Sequence, residues 1–505
     1  MRPSFILSLD QGTTSSRTLL FQDNGLVVAE ANAPLPLVFP QPGWVEADGE
    51  ALFASQWQAV QGCLAVAKGL PDWHIDQIRA IGIANQRETT LLWERSSGRL
   101  VHPAILWYCR RSAPVAQQWR ELGLESVIRE RTGLNLDPYF SATKLGYLFQ
   151  TYPELLRRAQ AGELLFGTVD SFLVYRLSGH QRHITDVTNA SRTAFFDIKH
   201  MEWDQDLLSR MGIPEAILPE VVDTAGVLAT THPSWFGRTI PIASLVGDQQ
   251  AALFGQGCHS EGKAKCTIGT GAFILAHAGS DLHQAPEALI RTVAWRLSGH
   301  APAYAWEGAV FTAGALINWL RDGLAIIQEP RDTEVMARSV ADTGGVVMVP
   351  AFSGLATPYW DPAARGLLIG MTSKTSRAHL VRAALESIAF QIVDVLRAME
   401  EASDTKFSEL KVDGGVAQND FLTQFLADVS DMGVVRYAMA EATARGAAWL
   451  AGLGSGLWPS LDCLPTASLG EPTLFSPVMS SIVRLESYAR WQRAVVRSQG
   501  WDLGS

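Results

Sequence analysis

Cysteine and positive charge are both scarce in this sequence. Its five cysteines stand at 63, 109, 258, 266 and 463. No Cys-x-x-Cys pair occurs, which excludes a zinc ribbon or a disulfide framework and fits free thiols in a reducing cytoplasm. Lysine and arginine total 41 against 51 aspartates and glutamates, a formal charge of −10. No Lys/Arg run is longer than two residues, so the basic stripe of a nucleic-acid binder is absent. An anionic ligand would have to be held by a local field of backbone N–H groups and a few arginines. Long hydrophobic runs are missing as well. Phe5-Ile6-Leu7-Ser8-Leu9 is cut off by Asp10 and is too short for a signal-peptide core of about 7–15 apolar residues. The Gly-rich apolar stretch at 446–457 falls below the roughly 20 residues of a membrane span. The expectation is a soluble, cytoplasmic protein without a membrane span.

What is present is ordinary for a globular enzyme: 47% apolar and 18% charged residues in a chain of 505, enough for two or three domains of roughly 150–250 residues. A strand, a small-residue turn and a second strand open each half, at Phe5–Phe21 and again at Ala264–Ala276. Asp23-Asn24-Gly25 predicts a hairpin turn, 51–67 has helical spacing, and Ile78–Ile83 reads as a buried strand. From Leu380, apolar residues recur at steps of three and four to Met399, predicting a long helix. Leu410-Lys411-Val412 predicts a strand and 421–429 a helix. Strands alternating with helices in both halves predict α/β architecture, with domains 1–250 and 251–505.

Several short motifs have chemical potential. In Asp10-Gln11-Gly12-Thr13-Thr14-Ser15-Ser16-Arg17, a tight turn of glycine and hydroxyl residues can aim several donors at one anion. Asp10, at a strand end, suits Mg²⁺, which favours one or two carboxylates plus phosphate oxygens. A polar hairpin turn explains the same composition. Gly269-Thr270-Gly271 repeats the pattern in the second half. Gly257–Ala264 approaches a P-loop, but Ala264 replaces the required Ser/Thr and a strand follows where that motif needs a helix. Gly247-Asp248-Gln249-Gln250 follows an apolar run, so Asp248 is placed either to accept a hydroxyl proton or to cap a helix. Asn85-Gln86-Arg87-Glu88 is either a solvated edge or a donor–acceptor pair for vicinal hydroxyls. Trp107 and Tyr139 could add an aromatic wall or merely pack.

Taken together, DQGTTSSR (10–17), NQRETT (85–90), RTGLNLDPYFSATK (131–144), TDVTNASRT (185–193), GDQQAALFGQ (247–256), GTGAF (269–273), EGAVFTAGALINWLRD (307–322), GLATPYWDPAARG (354–366) and VDGGVAQNDFL (412–422) resemble the FGGY carbohydrate kinases, and among them those acting on glycerol. The resemblance implies two ribonuclease-H-like (actin-like ATPase) domains flanking a catalytic cleft that binds ATP and Mg²⁺. It implies Asp248 as general base and Asp10 as metal partner. Arg87, Glu88, Tyr139, Asp248 and Gln249 match polyol-contacting positions, with Trp107 and Phe273 as the apolar wall. Thr13, Thr14, Ser15, Arg17 and Thr270 match phosphate grips, and Gly314, Asn318, Gly415 and Asn419 match nucleotide contacts. The implied reaction converts glycerol to sn-glycerol 3-phosphate, with erythritol or xylulose as the alternative acceptors, in a homodimer or homotetramer. Tyr108 departs from the usual Gln beside the tryptophan. Ser234-Trp235-Phe236-Gly237-Arg238 lacks the glycine-rich loop by which some relatives bind fructose 1,6-bisphosphate, so that control is expected to be absent.

Overall fold

The computed structural model of the chain describes residues 3–71, 73–282, 286–437 and 441–502. Its first sheet contains β1 (Phe5–Gln11), β2 (Ser15–Gln22), β3 (Val27–Pro34), β4 (Ile78–Asn85), β5 (Ala225–Thr230) and β6 (Pro241–Gly247). They lie in the order β5-β6-β4-β1-β2-β3. β1 to β3 form an antiparallel meander, while β4 runs parallel to β1 and β6 parallel to β4. The central strands are almost continuously buried, which is why they read as short apolar runs rather than alternating ones.

The second sheet contains β7 (Lys263–Ile268), β8 (Ala272–His277), β9 (Ile290–Trp295), β10 (Ala303–Val310), β11 (Glu409–Asp413), β12 (Gly433–Arg436) and β13 (Thr473–Phe475). The order is β9-β10-β8-β7-β11-β12-β13. The run β10-β8-β7-β11-β12 repeats β3-β2-β1-β4-β6, antiparallel and parallel pairings included. The internal repeat is therefore one of topology, and both halves are α/β. The near-P-loop is no phosphate loop: Lys263 opens β7, so a strand stands where that motif requires a helix.

Helices α1 (Gly49–Ala67), α2 (Asp248–Gly255), α3 (Arg377–Ser403), α4 (Asp420–Ser430) and α5 (Ala442–Gly454) pack on these sheets, and α6 (Ser481–Ser498) packs on α3 and α4. Asp48 caps α1 by accepting from Ala51 N at 2.8 Å, and α3 starts one turn earlier than its apolar stripe. α5 belongs to the C-terminal half of the chain but lies on the first sheet. Ser8 Oγ donates to Ala444 O at 2.7 Å and Ser244 Oγ to Ala447 O at 2.8 Å. α5 also crosses α2 at backbone contact: a Cβ on Gly446 would sit 1.8 Å from Ala251 O, a separation no side chain tolerates. The small residues of Ala-Thr-Ala-Arg-Gly-Ala-Ala are what this approach demands. Each sheet has its own apolar core, and a third cluster joins Ile6, Leu19 and Ala80 of the first half to Leu275, Trp295 and Trp449 of the second.

Candidate active site

The two small-residue turns are rigidly tied. After β1, Gly12 N donates to Ser15 O at 3.0 Å. Gln86, just past β4, donates its backbone N–H to Gln11 O at 2.8 Å and its Nε2 to Gly12 O at 3.0 Å. Trp107 Nε1 donates to Thr13 Oγ1 at 3.0 Å, so the first turn and the aromatic wall are one unit. Thr14 O accepts from Leu35 N at 2.8 Å, and Ser15 opens β2. In the second half, Gly269 N donates to Gly271 O at 2.8 Å, and Ala313 N and Ala315 N both donate to Thr270 O at 3.0 Å. Gly314 N reaches Gly269 O at 2.9 Å, where a Cβ would stand 2.5 Å from that oxygen; only glycine permits this seat.

The other residues assigned to phosphate and nucleotide divide into open and occupied positions. Asn318 is exposed at the end of the short helix Gly314–Asn318. Gly415 follows β11 with no atom within 4 Å of where a Cβ would be, leaving room for a flat ligand. Asn419 is already engaged: its side-chain oxygen caps α4 through Leu422 N at 3.0 Å, and its Nδ2 donates to Thr333 Oγ1 at 3.0 Å. Arg17 is likewise engaged, giving Nη1 to both oxygens of Glu441 at 2.9 and 3.0 Å. Its side chain is 49% exposed, so this pair is readily exchanged for another anion.

Burial and the neighbouring Asp248 push the Asp10 carboxyl up to about 7, against the pull of Arg17. Two acidic groups in one buried place strain each other unless a cation lies between or beside them. That fits a magnesium ion completed by phosphate oxygens. Among the described residues no group of three or more His, Cys, Asp or Glu side chains could hold a metal by itself.

Asp248 opens α2 directly after β6, with one oxygen accepting from Gln249 N at 2.7 Å. The strand end is braced from behind: Gly247 N donates to Thr188 Oγ1 at 2.8 Å, and that hydroxyl donates to buried Asp186 at 2.8 Å. Burial raises the Asp248 carboxyl above the usual carboxylate range, while Arg87 and Lys265 oppose the shift. Arg87 Nε stands 3.4 Å from Asp248 and 3.8 Å from Glu88. Its two terminal nitrogens grip Glu307 at 2.6 and 3.1 Å. Glu88, held at φ +60°, accepts from Arg192 Nε at 2.6 Å, and Arg192 Nη2 reaches Glu307 at 3.0 Å. Although burial pushes the other way, Arg192 and Arg87 hold the Glu307 carboxyl down at about 2. Burial raises Glu88 against the same two guanidiniums. The result is a dry ring of alternating charge, with Asp248 the member left partly open at 29% exposure.

The apolar wall assembles from both halves. The Trp107 ring lies 5.6 Å from Tyr139, 6.3 Å from Phe273 and 4.8 Å from Tyr108, each edge to face. Burial raises the Tyr139 phenol well above its ordinary range, with Glu88 adding to the shift, so it stays a neutral donor. Sequence reasoning left three members unassigned: Arg192, Glu307 and Lys265. Lys265 is fully buried and donates to Gln249 Oε1 and, at 2.9 Å, to Thr267 Oγ1. A usable signal existed in the lone charges inside buried strands, Ala264-Lys265-Cys266 and Trp306-Glu307-Gly308, because an unpaired charge there is costly and needs a purpose.

These contacts tie Thr13, Trp107, Tyr139 and Phe273 into one cluster and Arg87, Glu88 and Asp248 into another, with Asp10 near Asp248. The N-terminal domain of the FGGY family of carbohydrate kinases matches residues 5–255 and its C-terminal domain residues 264–455. A glycerol kinase of Alkalilimnicola ehrlichii is 50% identical, with 98% of each chain covered. One of Aromatoleum aromaticum is 49% identical, with 99% of each covered. Among solved structures, Plasmodium falciparum glycerol kinase with ADP superposes with a TM-score of 0.92 at 31% identity, covering 98% of each chain. A ligand-bound xylulose kinase of Lactobacillus acidophilus reaches 0.85 at 21% identity, covering 98% of this chain and 97% of that one, and shows the shared fold. The chain belongs to the FGGY family of carbohydrate kinases.

Proposed function

We propose that this chain transfers the γ-phosphoryl group of ATP to a terminal hydroxyl of glycerol, giving sn-glycerol 3-phosphate and ADP. The observation that carries the reading is the pairing of two clusters: the Trp107 ring against Tyr139 and Phe273, and Arg87 within 4 Å of both Glu88 and Asp248, which Gln249 follows. A three-carbon triol has a short carbon edge for the rings and hydroxyls for the polar side. Relatives named as glycerol kinases at about half identity over the whole chain support the same substrate.

In this reading Asp248 removes the proton from the attacking hydroxyl, and its raised carboxyl makes it a better base than a solvated aspartate. The hydroxyl oxygen then bonds to the γ-phosphorus as the bond to the β,γ-bridging oxygen breaks. Arg87, Glu88, Tyr139 and Gln249 orient the polyol, and Trp107 and Phe273 exclude water, which would otherwise accept the phosphoryl group. Thr13, Thr14, Ser15 and Thr270 offer donors to the phosphates, joined by Arg17 once it exchanges Glu441 for phosphate. Gly314, Asn318, Gly415 and Asn419 border the nucleotide. Magnesium, when bound, neutralises charge on the phosphate oxygens; Asp10 is the carboxylate that would hold it.

The domain division is placed near residue 250, within α2. Residues 1–250 carry the polyol side and the first phosphate turn, and 251–505 the ATP side. α5 then returns to pack on the N-terminal domain. Five free thiols, four of them buried, suit the cytoplasm, and the protein is expected to assemble as a homodimer or homotetramer without response to fructose 1,6-bisphosphate. The test of the reaction is product identity: phosphorus NMR of a Mg-ATP and glycerol incubation, followed by an oxidising enzyme specific for the sn-3 isomer. A product resistant to that enzyme, or phosphate released without a phosphomonoester, would overturn the assignment.

A further inference from the structure

Lys265 is an odd residue to find where it stands. It lies in the middle of β7, with Ala264 and Cys266 on either side buried. Its ammonium is within 4 Å of no carboxylate among the described residues, and its hydrogen bonds go to neutral oxygens, Gln249 Oε1 and Thr267 Oγ1. Taking an ammonium out of water without an ion pair is expensive. A leucine or methionine would fill a β7 core position without that cost, so packing does not account for the residue.

The amide it touches does. Gln249 Oε1 accepts from Lys265, and among the described residues Gln249 Nε2 donates to nothing. An ammonium only donates, and an amide has one accepting and one donating end. With Lys265 in place, the other flip of Gln249 would set donor against donor. The ammonium therefore leaves Gln249 a single orientation, with its N–H groups turned away from β7.

We propose that Lys265 is a positioning residue that fixes the flip of the Gln249 amide, so that Gln249 meets the polyol only as a donor. The inference rests on the reading of Gln249 as a polyol contact and adds the device that orients it. A hydroxyl oxygen that accepts from Gln249 must send its own proton elsewhere, and the acceptors beside it are Asp248 and Glu88. Lys265 thereby sets the direction in which the hydroxyl hydrogen bonds of the substrate run. Without it the amide samples both flips, and the wrong one points a second acceptor at the substrate.

The test is a double-mutant cycle on the full chain with Lys265→Met, Gln249→Ala and the pair. Lys265→Met is expected to raise KM for glycerol roughly tenfold, the scale of one lost hydrogen bond in a closed site. KM for ATP should stay within about twofold, because the hydrogen bonds of Lys265 go to Gln249 and Thr267 and to none of the residues assigned to phosphate or nucleotide. In the Gln249→Ala background the Lys265 substitution should add nothing further to KM for glycerol. Lys265→Gln offers Gln249 an acceptor as well as a donor, so it should free the flip and raise KM for glycerol as Lys265→Met does, and the question is decided even if Lys265→Met does not fold. Additive losses in the pair, or a Lys265→Gln enzyme that keeps the parent's KM for glycerol, would overturn the inference. A parent enzyme that phosphorylates no polyol sinks the functional reading and this inference with it. A parent active on a polyol whose variants add independently sinks this inference alone.

Discussion

The surroundings of Asp248 suit it to the proposed role of general base. Burial raises its carboxyl, Arg87 and Lys265 limit the rise, and the brace from Asp186 through Thr188 to Gly247 N holds the strand end that presents it. Asp248→Asn keeps the shape and removes the proton acceptor. Its kcat should fall by about 10³-fold or more, with ATP affinity changed by less than about threefold; steady-state kinetics and nucleotide titration measure both. The Arg87–Glu88–Arg192–Glu307 ring makes a separate prediction. Arg192→Met leaves Glu88 and Glu307 under-compensated in a dry place, which should cost about 3–5 kcal/mol in urea unfolding, whereas an exposed pair such as Arg120–Glu125 should cost under about 1 kcal/mol. Asp248, Arg87 and Glu88 were legible in the sequence because they stand just past apolar strands. Arg192 and Glu307 were not legible as site residues, because their partners lie more than a hundred positions away: Arg192 to Glu307 is a sequence separation of 115.

Local patterns revealed some elements and concealed others. β1, β2, β7 and β8 were readable from apolar runs around small-residue turns, and α3 from its stripe. α5 was read only as a glycine-rich apolar stretch, since its composition answers to the other half of the chain: α2 on one side and the first sheet on the other. The Gly446 position follows from that crossing. Gly446→Val must push α5 off Ala251 O, and a loss of about 3 kcal/mol or more, with a lowered Tm, is expected.

The brace behind β6 predicts a pH dependence. Burial, with Asp186 adding, raises the Asp170 carboxyl to about 7. The native state then keeps a proton that the unfolded chain gives up near pH 4, so more protons are bound in the folded state across that window. Stability should fall as pH rises from about 4 to about 7. Asp170→Asn, whose neighbours are the turnable hydroxyls of Thr168 and Thr185, should flatten that fall in chemical denaturation at stepped pH.

At the scale of the whole molecule, a shared strand order recurs in two halves, and the proposed chemistry draws on residues of both. The first half supplies Asp10, the first phosphate turn, Arg87, Glu88, Trp107, Tyr139 and Asp248. The second supplies Thr270, Phe273, Glu307 and Lys265. Neither half holds these side-chain clusters alone. Trp107 meets Phe273 across the divide, and Arg87 reaches Glu307 over a sequence separation of 220. The division into two α/β halves was legible because each half opens on the same strand–turn–strand pattern. The cross-cleft ring of charge was not, because periodicity and spacing carry no information about which distant strands will face each other. Substrate size is the property expected to depend most on this assembly, because the Trp107 ring packs against Tyr139, Phe273 and, at 4.8 Å, Tyr108. The most direct measurement is ADP release with Mg-ATP across glycerol, erythritol and xylulose, compared as kcat/KM. Glycerol is predicted to exceed both by about 10²-fold or more. Equal or greater kcat/KM with erythritol or xylulose would contradict a pocket built for a three-carbon triol.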